Sequence, residues 1–113
     1  MNHITTKSSL PIAGQRLVET MQRLNFGRIE GLAVRGGLPA FSLPCRVIRD
    51  IKIGGDNGAR PEVDQRDFVL KDSVVELFEH FAELGDGTVE VLEVRHGLPT
   101  KLVIQQVGSE VAE

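Results

Sequence analysis

The sequence Val-Arg-Gly-Gly-Leu-Pro at residues 34–39 returns sixty residues later as Val-Arg-His-Gly-Leu-Pro at residues 94–99. At the same offset, residues 15–44 align with residues 75–104 without a gap and share eleven identities. Unrelated segments of this length do not agree to that extent, so we interpret the chain as a tandem duplication. In the first copy the identical positions are Leu17, Glu19, Leu24, Gly27, Glu30, Leu32, Val34, Arg35, Gly37, Leu38 and Pro39.

Each copy begins with the pattern of an amphipathic helix. Apolar residues recur at spacings of three and four, which places them on one face of a helix. In the second copy Ser73 and Glu76 have the spacing of a capping box, so we expect that helix to begin at Ser73. The helices are expected to end at residues 25–27 and 85–87. The apolar positions are Leu17, Val18, Met21 and Leu24, then Val74, Leu77, Phe78, Phe81 and Leu84.

After each helix comes a run of branched residues that ends at a two-residue turn, at residues 36–37 and 96–97. This pattern predicts two β-hairpins whose turn residues have positive φ, and it makes His96 a turn residue. The register of such a turn puts Pro39 and Pro99 in non-hydrogen-bonded positions, where the proline nitrogen faces away from the hairpin. We therefore expect no further strand beside either return strand near its turn.

The outgoing strands do not alternate strictly, because the apolar positions change phase, as from Ile29 to Leu32 in the first copy. Either a bulge shifts the phase or both faces of the sheet are partly covered, and we expect the second arrangement. Pro44 predicts a break before a further strand at residues 46–53. A short strand is expected at residues 67–70.

These signals together predict an α+β fold. We expect two αββ copies related by a pseudo-two-fold axis, with both helices on one face of a mainly antiparallel sheet. The predicted single domain, residues 1–113, divides into a first copy at about 15–53, a loop at 54–66, a second copy at about 67–106, and loose tails at 1–10 and 107–113.

Composition places the chain among small soluble globular domains. It has 113 residues, of which 41% are hydrophobic, and a formal net charge of −3. No apolar stretch approaches the roughly 20 residues that cross a bilayer, and the first residues do not read as a secretory signal. The lone Cys45 cannot form an internal disulfide, which agrees with a reducing compartment. We therefore expect a cytoplasmic protein without a membrane partner.

The two copies carry opposite charge. Residues 15–53 hold seven basic and three acidic side chains, whereas residues 73–104 hold two basic and six acidic ones. Either the exposed faces have drifted, or the asymmetry favours head-to-tail or antiparallel pairing of chains, or the basic copy binds nucleic acid. The candidate partner-binding residues are Arg16, Arg23, Arg28, Arg35, Arg46, Arg49 and Lys52.

Three functional hypotheses follow. We expect a non-catalytic interaction module, a homo-oligomer that meets a protein partner through an exposed sheet surface or strand edge. One alternative is an accessory nucleic-acid-binding protein that uses the basic first copy, although the chain lacks Trp and Tyr for base stacking. The other is small-molecule binding between the copies, in an apolar pocket lined by Met21, Phe78 and Phe81.

The sequence predicts no enzyme, metal site or cofactor. His80 is the best candidate for proton transfer because Glu76 and Glu83 lie at helical spacing from it, but a solvated acidic helix face explains the same residues. The glycine-rich, acidic loop after residue 53 lacks the ligand spacing of a calcium loop and the ending of a phosphate-binding loop. We therefore predict no catalytic or metal-binding residues.

The pattern of a short helix, Gly-x-Ile or Gly-x-Val, a strand, a glycine turn and a return strand resembles the YezD-like small bacterial proteins. Each copy, at residues 15–44 and 75–104, covers about one such unit. The chain departs from that pattern in having two copies and a proline after each turn. The resemblance implies a bacterial origin for the helix-hairpin unit. The function of that family is uncharacterised, so no site residues carry over from it.

Overall fold

Two helices lie against one antiparallel sheet in a computed structural model of the chain, which describes residues 6–55, 57–61 and 69–105. The strand order is β2-β1-β4-β5, and β3 pairs with β1 on the same side as β2. The predicted α+β class is confirmed. The elements are α1 (Ile12–Leu24), β1 (Gly27–Arg35), β2 (Leu38–Pro39), β3 (Arg46–Arg49), α2 (Asp72–Leu84), β4 (Gly87–Arg95) and β5 (Leu98–Gln105).

One apolar core joins the two helices to the two central strands. Fully buried side chains come from both halves of the chain and form a single cluster. Because the buried residues of β1 and β4 pair directly across the ladder, they share the face of the sheet on which the helices pack. Among the most deeply buried are Leu17, Met21, Ile29, Leu32, Val34, Phe81, Val89, Leu92 and Val94.

The phase change in the outgoing strands comes from a bulge. Ile29 pairs with Leu92 and Leu32 pairs with Val89, so all four side chains face the helices despite their odd spacing. Gly31 has a φ of 72°, and the β4–β5 register shifts between Val89 and Val91. An irregular residue in each strand restores the burial of both apolar positions. The expectation that two covered faces cause the phase change is therefore wrong.

Both hairpin turns have the predicted conformation. Gly36 and Gly37 have φ values of 59° and 78°, and His96 and Gly97 have values of 55° and 74°. Positive φ at both central residues matches the twist of the flanking strands. The prolines that follow the turns lie opposite Val34 and Val94, as the two-residue register requires.

Contacts between the halves of the chain are reciprocal. Gly37 N donates to Gly85 O at 2.8 Å, and Gly97 N donates to Asn25 O at 2.9 Å. In each hydrogen bond, the turn of one half reaches the helix end of the other. The β1–β4 register is reciprocal as well. Residue 27 lies opposite residue 94, and residue 34 lies opposite residue 87. Because 27 aligns with 87 and 34 aligns with 94, each pair repeats the other with the two halves exchanged.

The helices begin earlier than the sequence predicts. The first α1 residue is Ile12, which follows Pro11, and the first α2 residue is Asp72, which follows Lys71. Lys71 makes no side-chain cap hydrogen bond, and Ser73 already lies within the first turn. The predicted capping box at Ser73 is therefore wrong, because the helix begins at Asp72 and already includes Ser73.

The segment before α1 is ordered where it is described, so the predicted loose tail is wrong for residues 6–10. Lys7 is only 2% exposed, and its Nζ lies 2.7 Å from Glu19 Oε2. A buried ammonium group requires such a partner. Residues 7–9 form one turn of 3-10 helix, and Thr6 bridges Val69. The predicted tails at residues 1–5 and 107–113 lie outside the described residues.

The third strand ends four residues earlier than predicted. β3 stops at Arg49, and the chain then turns at residues 53–54. Asn57 closes this turn, because its Oδ1 accepts from Lys52 N at 3.0 Å and its Nδ2 donates to Lys52 O at 3.0 Å. Of the predicted strand at residues 67–70, residues 67 and 68 lie outside the described chain. None of the described helices has the length and apolar character that a membrane span requires.

We expect Gly27→Ala to destabilise the protein by about 3 kcal/mol, and Gly87→Ala by about 1 kcal/mol. Gly27 has a φ of 153°, and a Cβ there would collide with the carbonyl oxygen of Ile48 in β3. A Cβ at the aligned Gly87 would meet the Leu84 side chain, which can move. Urea unfolding followed by circular dichroism measures both losses. Equal losses would show that the backbone collision is not the cause.

Candidate functional site

The sheet has two outer edges, and the two halves of the chain build them differently. On one side β3 and the two-residue β2 pair with β1, and on the other β5 pairs with β4 over its whole length. Among the described residues, no strand pairs with the outer side of β3 or β5. Both strands therefore carry backbone groups that can pair with another chain.

Hydrogen bonding after β3 determines which backbone groups face outward. Asp50 N donates to Phe26 O at 2.9 Å, in line with the register that places Arg49 opposite Gly27. Hydrogen-bonded and non-hydrogen-bonded pairs alternate along an antiparallel ladder. The N–H and C=O groups of Val47 and Arg49 therefore point away from β1, toward the open edge.

A groove runs beside this edge, between α1 and β3. Its volume is about 290 Å³, and its lining includes Arg23, Leu24, Val47 and Arg49. The Val47 side chain is 52% exposed although it lies on the helix-facing side of the sheet. Arg49 Nη2 donates to Arg23 O at 3.0 Å, which holds the strand against the end of the helix. We call Arg23, Val47, Arg49 and the outer backbone of β3 the basic edge.

The first half has three more residues before its edge strand than the aligned second half. Ile48 lies opposite Arg28, whereas Gln105 lies opposite the aligned Thr88, and the sixty-residue offset would place residue 45 beside Arg28. The extra length is taken up by residues 40–45, which leave the ladder between β2 and β3. Pro44 lies in this segment, as the predicted break requires, because proline has no N–H to donate.

The seven predicted basic residues do not form one surface. They divide between the two faces of the sheet and its ends. Arg16 lies over the ring of Phe41, 5.0 Å from its centroid, on the helix side. Arg35 donates to Gly87 O at 3.0 Å, beside the turn after β1. Arg23 and Arg49 belong to the basic edge, Arg28 and Arg46 lie on the opposite face, and Lys52 lies in the loop after β3.

On the face away from the helices, Glu30 lies between two arginines. Arg28 Nε donates to Glu30 Oε2 at 2.7 Å, and Arg46 Nε is 3.8 Å from Glu30 Oε1. The hydrogen bond from Arg28 holds the pKa of Glu30 below its ordinary value and raises the pKa of Arg28. These two arginines are therefore already partly neutralised within the protein.

An open groove of about 880 Å³ lies at one end of this face. Arg28 and Lys52 line it together with Asp50 and Glu93, so it carries charges of both signs. His96 lies edge-on to the ring of Phe26 at the same end, with centroids 4.7 Å apart. Phosphates are bound by positive charge, and the acidic side chains of this groove oppose that binding.

The opposite edge of the sheet is flanked by acidic residues. A groove of about 290 Å³ lies between α2 and β5, and its lining includes Glu76, His80, Lys101 and Leu102. His80 Nε2 is 3.3 Å from Glu76 Oε2, and its Nδ1 is 3.7 Å from Glu83 Oε1. We call Glu76, His80, Glu83 and the outer backbone of β5 the acidic edge. The two edges of one sheet therefore differ in charge.

The residues predicted to line an apolar pocket belong mainly to the core. Met21 and Phe81 have no exposed surface, and Phe78 is partly buried against that core. A smaller cavity of about 200 Å³ lies nearby, and Gln22 and Leu98 contribute to its lining. Gln22 is 6% exposed, and its Oε1 has no hydrogen-bond partner within the described chain. Sequence reasoning missed Gln22, although it aligns with an alanine in the second half.

No protein-family model matches the chain, and neither a curated protein nor a solved structure is significantly similar to it. The resemblance to the YezD-like proteins, the bacterial origin and the cytoplasmic location therefore stay predictions.

At neutral pH we expect Glu30→Gln to be less stable than the wild type, and the difference to disappear in acid. The folded pKa of Glu30 is lower than the unfolded one, so the pair stabilises the fold above the unfolded value. That stability is lost as the pH falls through the folded value. Urea unfolding at about pH 7 and about pH 3 measures the change. Glu90→Gln, at the aligned exposed position, is the control, and an equal pH dependence there would contradict the assignment.

Proposed function

We propose that the protein is a non-catalytic protein-binding module made of two duplicated αββ units related by an approximate two-fold axis. The reciprocal hydrogen bonds from Gly37 to Gly85 and from Gly97 to Asn25 support this arrangement. So does the exchange of positions in the β1–β4 register. In an isologous contact, residue i of one unit contacts residue j of the other, and residue j of the first contacts residue i of the second. In the proposed duplication, that contact lies inside one chain.

We further propose that the partner binds at the basic edge, as an extended segment that adds a strand to β3. The observation that carries this proposal is the outward direction of the Val47 and Arg49 backbone groups, at an edge that no described strand covers. Main-chain hydrogen bonds provide affinity in such complexes, and side-chain pockets provide specificity. Val47 offers an apolar contact, and Arg23 and Arg49 favour a partner with acidic side chains.

Nucleic-acid binding by the first half has less support. Arg28 and Arg46 contact Glu30 on one face, whereas Arg23 and Arg49 lie on the other. A strand of nucleic acid following one face would meet only part of the predicted set. The groove of about 880 Å³ adds acidic residues to its basic ones. We therefore keep a protein segment as the partner and use an oligonucleotide as a contrasting ligand in the test.

We expect Val47→Pro to weaken the binding of an acidic strand peptide by at least about tenfold, which corresponds to about 1.4 kcal/mol. The probe is a fluorescein-labelled peptide of alternating valine and glutamate, followed by anisotropy. Proline removes the outward N–H of Val47, and its ring obstructs an added strand. The ladder to β1 keeps its hydrogen bonds, so circular dichroism should show an unchanged fold.

The matched control for this variant is Val47→Thr, which keeps the branched shape and the N–H. It should bind the peptide within about threefold of the wild type, because the backbone contacts remain. Arg23→Glu should weaken binding mainly at low salt. The proposal is wrong if Val47→Pro binds like the wild type. It is also wrong if a labelled oligonucleotide binds while the peptide does not.

A further inference from the structure

We propose that the acidic occupant of the basic edge is the acidic edge of a second copy of this chain, so that copies associate head to tail into one continuous antiparallel sheet. This inference rests on the proposed function, since it names the partner of the same edge. Three features of the described residues support it: the charges beside the two edges, the strand directions and the level of the edge strands along the sheet.

The helix beside each edge carries opposite charge at aligned positions. Arg16 of α1 aligns with Glu76 of α2, and Arg23 aligns with Glu83. Arg23 lines the groove next to β3, and Glu76 lines the groove next to β5. When β3 of one copy lies beside β5 of another on a continuous sheet, α1 of the first lies beside α2 of the second. The charge pattern therefore favours contact between unlike edges.

The directions of the strands fit the same contact. The path β3-β1-β4-β5 has four strands, and each is antiparallel to its neighbour. The two edge strands of one molecule therefore run in opposite directions. A copy displaced across the sheet, with the rotation that sheet twist requires, presents its β3 antiparallel to β5 of the first copy. Its helices remain on the same face.

The two edge strands also lie at the same level along the sheet. β3 pairs with residues 27–30 of β1, and those residues lie opposite residues 91–94 of β4. Residues 91–94 in turn pair with residues 99–103 of β5. A sideways displacement therefore brings β3 against residues 101–103 without sliding along the strands. At Pro99 the missing N–H limits the contact on the side of the turn.

Symmetric pairing of like edges is disfavoured by charge. A two-fold contact between two β5 strands brings Glu76 and Glu83 of both copies close together on the helix face of the sheet. A contact between two β3 strands does the same for Arg23. Like charges placed together at an interface oppose association. Lys101 does not reverse this sign, because its Nζ is 3.9 Å from Glu93 on the opposite face of the sheet.

The test uses two variants that each lose one edge. Val47→Pro blocks the basic edge, and the double variant Glu76→Lys with Glu83→Lys reverses the acidic edge. The wild type should show a mass that rises with concentration in analytical ultracentrifugation, and this association should weaken as salt is raised. Each variant alone should associate at least about tenfold more weakly than the wild type.

Mixing the two variants gives the decisive result. Each still has one intact edge, so the mixture should form a 1:1 complex of twice the 12.4 kDa chain mass. No larger assembly should form. Self-association of either variant at wild-type strength would overturn the head-to-tail arrangement, as would a mixture that stays monomeric. Should Val47→Pro fail to fold, Arg16→Glu with Arg23→Glu replaces it, because this pair reverses the charge of α1 beside the basic edge.

A charge-swapped chain checks that charge selects the edges. Arg16→Glu, Arg23→Glu, Glu76→Lys and Glu83→Lys together should restore the association that either pair of changes weakens. If it does not, the charge argument is wrong. The acidic peptide is titrated in parallel. A wild type that stays monomeric yet binds the peptide at Val47 overturns only this inference, whereas a monomer that does not bind the peptide overturns the proposed function as well.

Discussion

The fold depends on the pairing of β1 with β4, because this ladder lets the two halves of the chain bury their helices together. Ile29 opposite Leu92 and Leu32 opposite Val89 form a fully buried strip beneath both helices. Each unit alone would cover its helix with one hairpin, which gives too little buried apolar area for stability. The turn of each half also donates a hydrogen bond to the helix end of the other. The halves therefore share their core and their helix termini.

Central pairing leaves the return strands outside, where differences between the halves do not disturb the core. In the first half, residues 40–45 leave the ladder and β3 replaces a continuous strand. β3 and the loop after it contact the end of α1, where each of the last four carbonyl groups accepts a hydrogen bond. The donors to the carbonyls of Met21, Gln22, Arg23 and Leu24 are Asn25 N, Arg60 N, Arg49 Nη2 and Phe26 N, respectively. The end of α1 is therefore joined to β3 through Arg49 Nη2 and to the following loop through Arg60 N.

Sequence reasoning succeeded where the signal is local. The turn conformations, the positions of Pro39 and Pro99 and the helical stripes all depend on neighbouring residues, and the structure has them as predicted. It failed where distant groups decide the outcome. The irregular residue Gly31, with its positive φ, lets Ile29 and Leu32 both face helices that lie outside the strand's own sequence. The order of residues 6–10 depends on a lysine that pairs with Glu19 twelve residues away.

The candidate site shows the same boundary between local and distant information. The basic residues of the first half were identifiable from composition, but their division between two faces depends on the register of β3 against β1. That register follows from the number of residues that leave the ladder before β3. Pro44 indicates that the ladder breaks there but does not give this number. Sequence could therefore identify Arg28 and Arg49 as candidates without showing that they lie on opposite sides of the sheet.

The proposed duplication raises the question of which edges pair with each other, and the differences between the halves help to answer it. Two identical units would present two identical edges, and like edges could then pair through a two-fold axis as readily as unlike ones. In the proposed head-to-tail contact, the reversed charges at positions 16 and 76 and at 23 and 83 would oppose pairing of like edges and leave unlike edges compatible. The three additional residues in the first half change the shape of one edge as well. Charge and shape therefore distinguish the edges on the outside, while the alignment of apolar positions keeps the two units equivalent at the core.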